Sequence, residues 1–70
     1  MAKYKDEIFI KNLHAQIKRS GKTKTQVAKD LGVSRAALSL WLSGDSFPTG
    51  DRLDEIAKYF KISKVDLFKV

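Results

Sequence analysis

The side chains best able to do chemistry in this 70-residue chain are cations, and their excess lies in one part of the sequence. Residues 8–44 carry seven basic side chains and one acidic side chain, Asp30, whereas residues 45–70 carry five of each sign. A basic segment of this kind favours a polyanionic partner. A lysine-rich face in contact only with solvent would give the same count, so charge alone leaves both interpretations open.

Groups suited to catalysis or metal binding are few. His14 is the only histidine and cysteine is absent, so the chain lacks the several nitrogen or sulfur ligands of a typical metal site. Asp51, Asp54 and Glu55 fall in the first turn of a predicted helix, where acidic side chains interact favourably with the helix dipole. The sequence has no serine–histidine–acid order and no glycine-rich phosphate loop. We therefore predict no enzyme, no metal site and no cofactor.

The length of the chain predicts one domain, residues 1–70, near the lower size at which a protein folds alone. No apolar run approaches the roughly 20 residues of a membrane helix. The first residues, MAKYKDE, lack the apolar region of a signal peptide. With the absence of cysteine, these features predict a soluble, cytoplasmic protein without membrane contact. Because the sequence ends directly after its last predicted helix, we expect no effector domain and no small-molecule effector.

Five short helices are predicted, and no stretch alternates as a strand would. The first runs from about Lys5 to Ser20 and stops at Gly21. The second follows Thr23, with Gln26 three residues later completing a capping box. The remaining three are assigned from their N-caps, which are Ser34, Thr49 and Ser63.

Apolar residues recur at helical spacing and predict one core shared by all five helices. The predicted inward aliphatic positions are Ile10, Leu13, Ile17, Val27, Ala28, Leu31, Leu38, Leu42, Leu53, Ile56, Ala57, Val65 and Leu67. The predicted core aromatics are Phe9, Trp41, Phe60 and Phe68.

Residues 23–43 combine a helix, a short turn and a second helix, which is the helix-turn-helix unit. Ala28 is small where two steeply crossing helices approach, and Gly32 tolerates the left-handed backbone that the turn needs. Val33 can insert into the core, and Ser34 starts the next helix at once. That helix, about Arg35 to Ser43, would protrude and suit a DNA major groove.

With these residues in place, the chain resembles the Cro and phage-repressor (XRE-like) type of helix-turn-helix regulator over about residues 8–68. The resemblance is carried by G21-K-T-K-T-Q-V-A28, L31-G-V-S34, W41-L-S-G44, Pro48, Leu53, I56-A57, F60-K-I-S63 and Leu67. It implies an all-α, compact five-helix domain that binds operator DNA, usually as a two-fold dimer. Three residues depart from the family pattern. Lys22 and Lys24 add charge beside the expected DNA face, and Leu42 would belong either to the core or to a partner surface.

Phosphate contacts are expected at two places. A helix N-terminus offers unpaired N–H groups and a favourable dipole, which favours Thr23 and Lys24. Lys22 and Lys29 are weaker candidates. A solvated surface position is the alternative for each lysine, and for Lys29 it is the favoured interpretation. The resemblance implies that Ser43 and Gly44, at the end of the third helix, contact the same strand of DNA.

Base contacts are expected from the outward positions of the third helix, which are Ser34, Arg35, Ala36, Ser39 and Leu40. Arg35 alone has a strong directional set of donors, suited to a bidentate pair with guanine. Ala36 and Leu40 would contact thymine methyl groups. Ser39 could pair with several bases and so specifies little.

The sequence therefore predicts a sequence-specific, double-stranded DNA-binding transcription regulator, with repression favoured. The resemblance implies a homodimer on the operator. The dimer surface is expected at the last helix and its flank, through Tyr59, Ile62, Val65 and Val70, with the edge of the core as the alternative place for these residues. Residues 3–5 could form an arm reaching DNA, but a frayed terminus is the favoured interpretation. The alternative function is a protein-interaction module on the same fold, an antirepressor or an antitoxin.

Overall fold

Short helices joined by tight turns make up the structure. A computed structural model describes residues 6–70. Its elements are α1 (Glu7–Ser20), α2 (Lys24–Leu31), α3 (Arg35–Ser43), α4 (Gly50–Phe60) and a terminal 3-10 helix (Lys64–Phe68). The all-α prediction is confirmed, with the correction that the fifth element is a 3-10 helix. None of the helices within these residues combines the length and the apolarity needed to cross a bilayer.

Three α-helices begin where the sequence places an N-cap. The hydroxyls of Thr23, Ser34 and Thr49 each accept the backbone N–H three residues later, at 3.1, 3.0 and 3.3 Å. The predicted capping box at α2 is wrong, because Gln26 does not reach back to Thr23. Its side-chain amide instead donates to Asp30 Oδ1 at 2.7 Å, one turn further along the helix.

The first helix starts two residues later than predicted. Asp6 is its N-cap, since the Asp6 carboxylate accepts the backbone N–H of Phe9 at 3.0 Å. Lys5, the predicted first residue, and the possible arm at residues 3–5 lie outside the described residues.

All five elements contribute to one core. Its fully buried large side chains are Phe9, Leu13, Val27, Leu38, Ile56 and Leu67. The rest of the buried apolar set is Ile17, Ala28, Leu31, Trp41, Leu42, Leu53 and Ala57. Leu42 is only 7 % exposed, so it belongs to the core and not to a partner surface. Ile10, predicted to face inward, is half-buried at the edge of this cluster.

Two of the four predicted core aromatics pack against the core without being buried in it. Phe9 and Trp41 are buried, but Phe60 is half-buried and Phe68 is 37 % exposed, stacked on Phe9 with a centroid distance of 5.7 Å. Phe47, from the loop before α4, packs against Phe9 with the ring centroids 5.0 Å apart. Phe47 was missed because a single aromatic residue in a short loop has no periodicity that indicates burial.

The 3-10 helix buries one apolar side chain. Leu67 is fully buried, whereas Val65, predicted to face inward, is 65 % exposed. A 3-10 helix has three residues per turn, so two residues only two positions apart point in different directions. Residues two positions apart also diverge in an α-helix, so the prediction that Val65 and Leu67 both face inward was wrong for either helix type.

One side chain of α1 holds the C-terminal segment. The Asn12 Nδ2 amide donates to the carbonyls of Leu67 at 2.9 Å and Lys69 at 2.8 Å, with the Asp66 carbonyl 3.4 Å away. The Asp66 carboxylate accepts the Ser63 backbone N–H at 3.0 Å and lies 3.1 Å from the Lys69 ammonium. The bond from Ser63, followed by Lys69, holds the pKa of Asp66 below its ordinary value.

Lys61 has a backbone conformation that favours glycine. It follows α4 with a φ of 58°, the one positive φ of a non-glycine residue among residues 6–70. A Cβ in this region costs about 1 kcal/mol. Lys61→Gly should therefore raise the free energy of unfolding by about 1 kcal/mol, measured by urea denaturation with Trp41 fluorescence. Lys61→Ala keeps the Cβ and should change little, so equal stabilisation by both variants would contradict this explanation.

Candidate nucleic-acid interface

A three-residue turn joins α2 to α3. Gly32 has a φ of 73°, and the Val33 N–H donates to the Ala28 carbonyl at 2.9 Å. Val33 is half-buried against the core and Ala28 is 2 % exposed, so the turn is anchored from within. Because Ser34 caps α3 at once, the start of α3 is fixed relative to the end of α2.

Arg52 of α4 stabilises the same turn by a hydrogen bond to the end of α2. Its Nη1 donates to the carbonyl of Leu31, the last residue of α2, at 3.3 Å, and to the Glu55 carboxylate at 3.0 Å. A cation at a helix C-terminus is favourable because the last carbonyls carry partial negative charge. This positioning role of Arg52 was not predicted, since the contact joins residues 21 positions apart and no local pattern marks it.

One face of α3 is buried and the other is open to solvent. Leu38, Trp41 and Leu42 face the core. All five predicted base-reading residues are exposed, namely Ser34, Arg35, Ala36, Ser39 and Leu40. Arg35 forms no ion pair with any of residues 6–70, so its guanidinium donors are available to a ligand.

The N-terminus of α2 offers unpaired N–H groups and a cation. The Thr23 hydroxyl and carbonyl take up the N–H groups of Gln26 and Val27, at 3.1 and 3.0 Å. The N–H groups of Lys24 and Thr25 precede the first helical hydrogen bond and have no partner in the helix. The Lys24 side chain is exposed and has no ion pair within the described residues. Together these groups suit a phosphate, and Thr25 adds a backbone donor that was not predicted.

Lys22 is already paired within the protein. Its Nζ lies 3.0 Å from the Tyr59 hydroxyl, which accepts, and 3.2 Å from the Asp30 carboxylate. The Tyr59 hydroxyl in turn donates to Asp30 at 2.6 Å. The bond to Tyr59, more than the one to Asp30, raises the pKa of Lys22, and the Tyr59 hydroxyl lowers the pKa of Asp30. Among the predicted phosphate ligands, Lys22 is therefore the cation least available to DNA.

The end of α3 presents a hydroxyl beside an acid. Gly44 is buried, and its N–H donates to the Leu40 carbonyl at 3.0 Å. Ser43 is exposed, with its Oγ 3.1 Å from the Leu40 carbonyl and 2.8 Å from the Asp45 carboxylate. The predicted phosphate contacts at Ser43 and Gly44 therefore involve groups already hydrogen-bonded within the protein. Asp45, absent from the predicted site, adds a negative charge next to Ser43.

Two of the three acidic side chains of α4 form ion pairs with basic side chains. Asp54 lies 3.1 Å from the Lys64 ammonium, and Glu55 lies 3.0 Å from the Arg52 guanidinium. Within residues 6–70, no group of three or more histidine or acidic side chains is placed to hold a metal ion. His14 is exposed on α1.

Comparison with known proteins agrees with this geometry. A family model described as helix-turn-helix matches residues 13–67. The chain is 43 % identical over 47 residues to the HTH-type transcriptional activator BcrR of Enterococcus faecalis, covering 64 % of this chain and 23 % of that protein. This chain thus spans less than a quarter of the length of BcrR.

A solved structure is similar over nearly the whole chain. The solution structure of the SOS-response transcriptional repressor LexA from Eubacterium rectale matches with a TM-score of 0.87 at 33 % sequence identity, covering 99 % of this chain and 73 % of that chain. The family match extends from α1 to the 3-10 helix and includes the whole of α2, the turn and α3. This chain therefore belongs to the XRE-type helix-turn-helix family of DNA-binding transcription regulators.

Proposed function

We propose that this protein recognises a specific double-stranded DNA operator by placing α3 in the major groove. The observation that carries the proposal is the exposed face of α3, on which Arg35 has no ion pair with residues 6–70. The charge distribution supports it, because six of the seven cations of residues 8–44 lack a bond to Asp30, the one acid there. A DNA duplex is the polyanion that such a helix fits.

Different residues make the base contacts and the phosphate contacts in this proposal. Arg35 pairs with guanine, whereas Ala36 and Leu40 contact thymine methyl groups. The Ser39 hydroxyl adapts to several bases, whereas the Ser34 hydroxyl already accepts the Ala37 N–H at 3.0 Å. Phosphate is bound at the N-terminus of α2 by Thr23, Lys24 and the Thr25 N–H.

Repression is the effect we infer. Occupying a promoter is sufficient to repress, whereas activation needs a further productive contact with the transcription machinery. The relatives include one named an activator and one named a repressor, so neither name decides the effect here. A reporter gene with the selected operator across its promoter tests the inference, because repression lowers expression and activation raises it.

A homodimer on DNA is the assembly we infer. Two-fold partners would place two copies of α3 about 34 Å apart, one turn of the duplex. Of the four predicted dimer residues, Val65 and Val70 are exposed, whereas Ile62 is half-buried and Tyr59 is bonded to Asp30. Selection from a random duplex pool should return a two-fold symmetric consensus, and an enriched single half-site would contradict the dimer.

The same selection tests the proposed function itself. The protein should be retained on heparin. Incubated with a pool of random duplexes at low salt, it should enrich one class of sequence, and the enriched duplex should give a gel shift. No enrichment and no shift at low salt would contradict DNA recognition. The exposed face of α3 would then be assigned to a protein partner, as in an antirepressor or antitoxin.

Lys24→Ala should weaken binding to every duplex and reduce the slope of log affinity against log salt by about one, because one phosphate contact is lost. Lys29→Ala is the matched control, since Lys29 is an exposed lysine at the other end of α2. Its slope should equal that of the unmodified protein. Titrations between about 50 and 200 mM salt measure both. An unchanged slope for Lys24→Ala would remove Lys24 from the phosphate site.

A further inference from the structure

We propose that α3 recognises the C5-methyl group of pyrimidines in the major groove through Leu40, so that 5-methylcytosine is accepted as thymine is. The proposal rests on the proposed function and deepens it. It defines the recognised feature as a methyl group at one ring position rather than as a particular base. Binding would then respond to cytosine methylation of the operator.

An apolar stripe on the open face of α3 is the first observation. Ala36 and Leu40 are four residues apart and so lie on one side of the helix, and both are exposed. Leu40 retains 45 % of its surface, although Leu38 and Trp41 beside it in sequence are buried. Leu40 is thus exposed because it lies on the solvent-facing side of α3, and not because α3 is poorly packed.

The backbone at Leu40 is held firmly. Its carbonyl accepts the N–H groups of Gly44, Asp45 and Ser46 at 3.0, 3.0 and 3.2 Å. These bonds fix the last turn of α3 and the loop that follows it. A side chain on such a support can keep the position that methyl recognition requires.

Few polar groups on this face are free for hydrogen-bonded recognition. The Ser34 hydroxyl accepts the Ala37 N–H at 3.0 Å, and the Ser43 hydroxyl lies 2.8 Å from Asp45. Arg35 and Ser39 remain. One arginine and one serine discriminate few base pairs, so apolar contacts must supply further selectivity.

The chemistry of the groove provides a matching target. Thymine presents a methyl group on C5 at the floor of the major groove, and cytosine does not. Methylation of cytosine places a methyl group on the same carbon. Burying one methyl group against Leu40 favours binding by about fourfold.

The test uses the most enriched duplex from the random-pool selection. At each thymine position in turn, four versions are synthesised, with T·A, U·A, C·G or 5-methylcytosine·G. At one position in each half-site, uracil should bind about fourfold more weakly than thymine, and 5-methylcytosine about fourfold more tightly than cytosine. Leu40→Ala should remove both differences. Ile8→Ala, which truncates an apolar side chain of α1 that is 40 % exposed, should keep them.

Each alternative result overturns a distinct statement. If uracil matches thymine and 5-methylcytosine matches cytosine at every position, methyl recognition is wrong while DNA recognition stands. If both differences persist in Leu40→Ala, the assignment to Leu40 is wrong. If the unmodified protein selects no duplex at all, the proposed function fails, and this inference fails with it. Trp41 fluorescence and circular dichroism of Leu40→Ala should match those of the unmodified protein, because Leu40 is exposed.

Discussion

Asn12→Asp should lower the free energy of unfolding at pH 7 by about 3 kcal/mol. The change replaces an amide donor with a partly buried carboxylate that faces backbone carbonyl oxygens. The Asn12 amide donates to the Leu67 and Lys69 carbonyls at 2.9 and 2.8 Å, and the Asp66 carbonyl lies 3.4 Å away. A carboxylate can donate to none of the three and repels their oxygens. Urea denaturation followed by Trp41 fluorescence measures the loss.

The pH dependence of this variant separates repulsion from a simple loss of bonds. The carbonyl oxygens raise the pKa of the new carboxyl group in the folded state, so part of the stability should return as the pH falls from 7 to 5. The free energy of unfolding of the unmodified protein should change little between pH 7 and pH 5. The pKa values of Asp30 and Asp66 are lowered, so their contribution is lost only as the pH falls below about 4.

Two variants serve as controls for Asn12→Asp. Asn12→Ala removes the bonds without adding charge, and should lower stability by about 1–2 kcal/mol at both pH values. Gln16→Glu makes the same amide-to-acid change one turn further along α1, where Gln16 has no bond within residues 6–70. It should be nearly neutral. A deficit for Asn12→Asp equal to that of Asn12→Ala at pH 7 would contradict the repulsion.

Helix boundaries were predictable because their causes are local. Thr23, Ser34 and Thr49 each bond to the N–H three residues later, so a short stretch of sequence contains both partners. The end of α4 shows the limit of this reasoning. Lys61 takes the left-handed conformation that glycine usually supplies, and its residue type gives no indication of that.

Contacts between distant residues could not be predicted from the sequence. Asn12 and Lys69 are 57 positions apart, and Arg52 and Leu31 are 21 apart. Which elements meet depends on how the helices pack, which periodicity does not specify. The exposed face of α3 was predictable because burial of one side of a helix implies exposure of the other. The hydrogen bond of Lys22 to Tyr59 could not be predicted, since Tyr59 lies on α4, far from Lys22 in the sequence.

Arg35→Ala should weaken binding to the selected operator by about 1–3 kcal/mol, roughly 5- to 150-fold, and relax the preference at one base pair. Arg35 is exposed at the first position of α3 and has no ion pair within residues 6–70, so the variant leaves the fold unchanged. A bidentate arginine–guanine pair has no substitute on this face, whose other side chains are small or apolar. Affinities for all four base pairs at each operator position measure the effect.

The pattern across sequences decides what Arg35 contacts. Loss of a base contact should abolish discrimination at one position and leave binding to random DNA nearly unchanged. Loss of a phosphate contact would weaken all duplexes equally and lower the salt slope by about one, as expected for Lys24→Ala. Arg19→Ala is the matched control, because Arg19 is an exposed arginine in the last turn of α1, outside α3. It should leave the preference at every base pair unchanged, and a uniform loss with Arg35→Ala would show that α3 reads its operator without this arginine.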